Sequence, residues 1–267
     1  TEEMNSSTFG TIVHQVLEDG LSEMIDKPMT RELLLHFKQH ITPYLDASVE
    51  KHFNRELTSF GENYLHLTIA QATLEKLIDT EMAELERGQA KIIGSVEDEL
   101  GHTFQSDHPH FPEVRLHGMA DRIDAENGTV IVTDYKTGAV EARELKLKEP
   151  WTDKLDDGKS GKALQLLMYA ALALETIGPN GKERTDTDDK IEYVRAGIRS
   201  GKNANAGLLP LSIDGQTLVT RKDALKLLQW ISQKLTDLHQ TDAGLMHETE
   251  SKYCAYCTVL DPLPEYF

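Results

Sequence analysis

The sequence predicts an α/β fold, a small mixed β-sheet flanked by helices and preceded by a helical block. Three observations predict it. Apolar residues recur at helical spacing through the first third of the chain. Alternating strand patterns then appear near 90–105, 116–138 and 191–213. Amphipathic helical stretches separate and follow those strands, so the order is helices, strands, helix, strands, helix. The working division of a single domain is a helical part over 1–89, an α/β core over 90–240 and a tail over 241–267.

The first helix is expected to begin near Ser7 or Thr8, with Phe9, Ile12, Val13, Val16 and Leu17 as its apolar stripe. On it His14 and Glu18 are four apart and so neighbours on the surface. A lone helical histidine is usually solvated, and nothing local makes this one a ligand. Residues 30–57 read as one or two helices broken near Thr42-Pro43. A long helix follows over 62–88, with Leu65, Ile69, Ala72, Leu74, Leu77, Ile78, Met82 and Leu85 in phase; its glutamates read as a solvated face. A strand over 90–105 leads to a loop, HPHFP at 108–112, where His102, His108 and His110 read as scattered solvated histidines.

Residues 116–138, LHGMADRIDAENGTVIVTDYKTG, carry the strongest signal. Asn127-Gly128 suits a type I′ turn, whose two central residues both need positive φ. With that turn, Glu126 faces Thr129, Ala125 faces Val130, Ile123 faces Val132, Asp121 faces Asp134 and Met119 faces Lys136. Side chains alternate along strands, so an apolar face ends in two carboxylates and a lysine. Like charges directly opposite repel, and a divalent cation between them is the natural remedy. The alternative is a surface hairpin whose charges face water.

Past the hairpin, the polar stretch 141–161 reads as a mobile loop. A helix starts at Lys162 and places Gln165 and Tyr169, four apart, on one face. Strands are expected in IEYVRAGIRS and LLPLSI, then a helix over 220–240 with Thr220 as N-cap and Leu225, Leu228, Ile231 and Leu235 inward.

Composition bounds the function. A net charge of −17 argues against broad, nonspecific phosphate binding, though a local basic groove remains compatible with it. No apolar run is long enough to span a membrane. Two cysteines, Cys254 and Cys257, exclude a disulfide framework and favour a reducing, cytoplasmic setting. Thr1 is not an initiator methionine, so the chain reads as a piece of something longer.

Four motifs then line up in order: GTIVHQVLE at 10–18, GMADRID at 118–124, VTDYKTG at 132–138, and Gln165 with Tyr169 in ALQLLMYA. Together they resemble the PD-(D/E)XK nuclease superfamily, specifically the RecB-like nuclease domains of AddB-type helicase–nuclease subunits. The resemblance implies a restriction-endonuclease-like core and metal-dependent DNA cleavage. It implies Asp121, Asp134, the Tyr135 carbonyl and His14 as ligands of Mg²⁺ or Mn²⁺. Lys136 would orient the attacking water, Gln165 and Tyr169 would contact DNA near the cut, and Glu18 would stand behind the ligands. Many relatives carry four cysteines for an iron–sulfur cluster; with only Cys254 and Cys257 here, no cluster is expected. There is no Walker motif, so a helicase motor would lie in a partner subunit or elsewhere in a longer polypeptide. Two other readings stand beside this one. One is a catalytically silent DNA-binding or scaffold module of the same fold. The other is a zinc-ribbon-like module on Cys254 and Cys257, which lacks a second ligand pair.

Overall fold

The computed structural model describes residues 3–108, 111–156 and 158–240. Helix α1 spans Ser6–Ser22, and the Asn5 side chain caps it by accepting the Thr8 N–H at 2.9 Å. Ile12, Val13, Val16 and Leu17 are buried, as their spacing demands. Helices α2 (Arg31–Gln39) and α3 (Ile41–His52) break at His40 rather than at Thr42-Pro43. Pro43 falls in the first turn of α3, where its missing N–H has no helical partner to lose.

Helix α4 (Gly61–Glu86) is the long helix, and two expectations for it are corrected. Leu65 and Ile69 are exposed, because the buried stripe runs through Ala70, Leu74, Leu77 and Ile78, out of phase with them. Glu81 and Glu84 do not face solvent; they are buried on the continuation of that stripe.

The main sheet is built from β1 (Lys91–His108), β2 (Phe111–Glu126), β3 (Thr129–Lys136), β5 (Tyr193–Ser200) and β6 (Leu208–Pro210) in that order, with β8 (Val219–Thr220) also pairing β5. Pairs β1–β2 and β2–β3 are antiparallel, and β3–β5 is parallel, so the sheet is mixed. Parallel neighbours need a crossover, and α6 (Gly161–Thr176) lies within that connection. Helix α7 (Arg221–Gln240) closes the described chain. It buries Ala224, Leu227 and Leu228, while Leu225, expected inward, is exposed. The Thr220 hydroxyl and N–H both donate to Asp223 at the start of α7.

The stretch 141–161 is not a free loop. It contains β4 (Lys146–Leu147), which pairs in parallel with β7 (Ser212–Ile213), and α5 (Trp151–Asp156). Leu145, Leu147, Trp151 and Leu155 anchor it in the core, apolar positions that its lysines and aspartates mask by number. The expected loop at 108–112 is also shorter, since β1 runs to His108 and β2 begins at Phe111. His110, Cys254 and Cys257 lie outside the described residues.

The turn is as predicted, with φ of +49° at Asn127 and +79° at Gly128. The register holds from Glu126–Thr129 to Arg122–Thr133. Alternation then assigns opposite sheet faces. Ile123, Val130 and Val132 pack with α6 and α7, whereas Ile93 and Tyr135 pack with the N-terminal helices. Among the described residues no helix is long and apolar enough to cross a membrane.

Candidate metal centre

The β2–β3 ladder stops one pair before the two aspartates. Its last pair is Arg122–Thr133, so neither the expected Asp121–Asp134 nor the expected Met119–Lys136 pairing forms. Two carboxylates side by side repel, and the strands part there. Asp121 instead accepts the Tyr135 main-chain N–H at 2.5 Å.

A third carboxylate joins them. Glu97 sits between the pairs Val96–Arg122 and Asp98–Ala120, across β1 from Asp121. Its φ of +50° is rare outside glycine. No spacing argument singles it out, because Glu97, Asp98 and Glu99 are consecutive acids. From α1, His14 reaches into the same place. Its Nδ1 lies 3.6 Å from Asp121 and 3.8 Å from Glu97, and its Nε2 donates to the Tyr135 carbonyl at 3.0 Å. Donor atoms of His14, Glu97 and Asp121 all fall within 4.8 Å of one another. The Tyr135 carbonyl keeps a second lone pair.

Asp134 lies beside this group with its side chain 2% exposed. Its Oδ1 accepts from Gln165 Nε2 at 2.9 Å and from Lys136 Nζ at 3.1 Å. Oδ2 is buried, and its one near cation is Lys136 Nζ, an ion pair at 2.9 Å. Gln165 Nε2 also donates to the Tyr169 hydroxyl at 2.8 Å. Gln165 and Tyr169 are therefore on one face of α6, and that face meets Asp134. Glu18 accepts from Gln15 at 2.8 Å and lines the same cleft along α1 as His14 and Glu97, without touching either.

The electrostatics are those of an unbalanced acidic site. Burial first, and then Asp134 and Glu97, push the Asp121 carboxyl up to about 6, against the pull of His14. Burial raises Asp134 as well, more than Lys136 lowers it. For His14, burial disfavours the charged ring, but Glu97, Asp121 and Asp134 outweigh it and the pKa rises. Buried carboxylates at raised pKa and an imidazole make a mostly oxygen donor set. That set fits a hard divalent cation such as Mg²⁺ or Mn²⁺, the nitrogen suiting Mn²⁺ better.

On the reverse face of the same strands lies a second charged cluster. Arg122 donates to both oxygens of Asp124, to Glu81 Oε1 at 3.0 Å and to the Tyr135 hydroxyl at 2.8 Å. Lys91 pairs with Glu81 and Glu84, and Arg199 with the same two glutamates. All six charged side chains are buried. Tyr135 is shared by the two clusters, its hydroxyl in one and its main chain in the other.

The family model of the PD-(D/E)XK nuclease superfamily matches residues 1–261, and the chain belongs to that superfamily. No curated protein and no solved structure matches it. The mixed sheet flanked by helices is the restriction-endonuclease-like core of such proteins, which are generally nucleases and typically use Mg²⁺ or Mn²⁺.

Proposed function

We propose that this member of the PD-(D/E)XK nuclease superfamily is a Mg²⁺- or Mn²⁺-dependent deoxyribonuclease, the RecB-like nuclease domain of an AddB-type helicase–nuclease. The observation that carries the reading is the unbalanced front cluster: His14, Glu97 and Asp121 offer donor atoms within 4.8 Å of one another, and buried Asp134 lies beside them with Lys136 as its cation. Asp121, Asp134, Glu97, His14 and the Tyr135 carbonyl are the groups that would hold the cation. When bound, it supplies Lewis-acid polarisation of the scissile phosphate and a lowered pKa for bound water.

The chain's own residues do the rest. Lys136 keeps its ammonium beside Asp134 at the edge of the cluster, a third exposed, where it can orient a water and offset phosphate charge. Gln165 and Tyr169 stand close enough to Asp134 to meet the strand beside the cut. Glu18 lines the same cleft as His14 and Glu97, and its place is behind the ligands. The four motifs support the RecB-like assignment, and with it DNA as substrate and a helicase motor in the same assembly. The cytoplasm is the compartment proposed for that assembly.

End-labelled single- and double-stranded DNA, incubated with Mg²⁺, Mn²⁺ or EDTA, tests the proposal. Metal-dependent cleavage that EDTA abolishes is expected. Protein that binds Mn²⁺ yet leaves both substrates intact would overturn it.

A further inference from the structure

We infer that Gln165, held by Tyr169, is a positioning residue that decides which oxygen of Asp134 is offered to a cation. This rests on the metal-dependent reading above and names a task for two residues that the sequence motifs tie only to the strand.

The argument starts from the inequality of the two Asp134 oxygens. Lys136 Nζ lies near both, and Gln165 Nε2 donates to Oδ1, so the buried Oδ2 has no contact but that shared ammonium. A carboxylate is acceptor-only and its terminal torsion is broad and two-fold, so nothing intrinsic distinguishes its oxygens. The protein does. Lys136 alone does not settle the choice, since its ammonium is 2.9 Å from Oδ2 and 3.1 Å from Oδ1. Gln165 settles it, because its amide contacts Oδ1 only.

The amide is itself fixed. A carboxylate can only accept, so the nitrogen and not the oxygen of Gln165 must face Asp134. The same nitrogen donates to the Tyr169 hydroxyl at 2.8 Å, so both of its N–H groups are used. The Tyr169 ring is held in turn by Gly118, where an added Cβ would fall 2.8 Å from ring Cε1. Gly118 therefore has a tertiary reason to lack a side chain. The chain of contacts runs from Gly118 through Tyr169 and Gln165 to Asp134, and it ends on one oxygen.

The test separates this role from direct strand contact. Gln165→Met keeps length and packing but loses both donors. Mn²⁺ titrated calorimetrically into that variant should bind about 10- to 100-fold more weakly, the usual cost of losing a group that orients a metal ligand. Tyr169→Phe removes only the acceptor that holds the amide, and should weaken Mn²⁺ by about 2- to 10-fold, the net worth of one neutral hydrogen bond. Affinity for a short single-stranded oligonucleotide, measured in EDTA, reads any strand contact separately from the Mn²⁺ loss, which is measured without DNA. Melting curves check that each variant folds, and Tyr169→Phe keeps the test open if Gln165→Met does not. Unchanged Mn²⁺ affinity in the folded variants, or weakened oligonucleotide binding in EDTA with metal binding intact, would overturn the inference. A parent that binds Mn²⁺ but cleaves nothing would end the nuclease reading and leave this one standing. A parent that binds no Mn²⁺ would end both.

Discussion

Strands β2 and β3 carry charge on both faces, and the two faces solve the same problem in opposite ways. Behind the sheet, Glu81, Glu84 and Asp124 meet Lys91, Arg122 and Arg199, three acids against three bases. There burial opposes ionisation of Glu81, but Arg122, Arg199 and Lys91 overcome it and hold its carboxyl well below the usual range. In front, Glu97, Asp121 and Asp134 face one lysine and one histidine, and Asp121 rises to about 6. One residue of offset, Asp121 to Arg122 or Asp134 to Tyr135, moves a side chain from one regime to the other. A buried carboxylate cluster is thus not evidence of chemistry by itself; a buried cluster short of positive charge is.

Asp121→Ala and Asp134→Ala probe the unbalanced face most directly. Each should lower single-turnover DNA cleavage by at least about 10³-fold, since the metal's charge stabilisation is worth several kcal/mol, with the melting temperature held or raised. Near-parental cleavage by either variant would show that the front face is not where the reaction occurs. Lys136→Ala sharpens the division of labour. Its single-turnover rate should fall by about 10²–10⁴, whereas Mn²⁺ affinity measured by calorimetry should hold or strengthen because a competing cation is gone. Lost metal binding would make Lys136 part of the binding set instead.

Arg122→Met tests the balanced face. It leaves Glu81 and Asp124 buried without their common partner, a loss of about 3–5 kcal/mol when a buried pair is broken. For a domain of this size that lowers the melting temperature on the order of 10 °C. An unchanged melt would mean that the rear cluster contributes little.

The smallest effect is a pH dependence. The folded-state pKa of Asp121, about 6, lies above its ordinary value, so the folded protein binds the extra proton. Stability therefore falls as pH rises through roughly 4 to 6, and the cost is fully present above about 6. In EDTA, Asp121→Asn should melt higher than the parent at pH 8, by about 1–3 kcal/mol. The gap should close as pH falls toward about 4, the ordinary aspartate range. A gap that stays constant with pH would mean that the carboxylate is not under electrostatic strain.

Much of this molecule is readable from residue order alone. The Asn127-Gly128 turn dictates the hairpin register as far as Arg122–Thr133, because so few residue pairs accept two positive φ angles. Alternation from that turn places Asp121, Asp134 and Lys136 at one end of an apolar face. The period of 3.6 places Gln165 beneath Tyr169 on α6 in the same way. These are local rules, and they hold because neighbours along the chain determine them.

What the order of residues could not decide was which distant groups would share a space. Glu81 and Glu84 look like any solvated glutamates until Arg122 and Arg199 arrive from the sheet, although their phase with Leu74, Leu77 and Ile78 was a signal. Glu97 carries no local mark at all among three consecutive acids; a left-handed backbone and the β1–β2 pairing put it across from Asp121. His14 lies 121 residues before the carbonyl it touches. Charge balance is a sum over groups brought together in three dimensions, so only the tertiary structure could make one face of the sheet neutral and leave the other short of a cation.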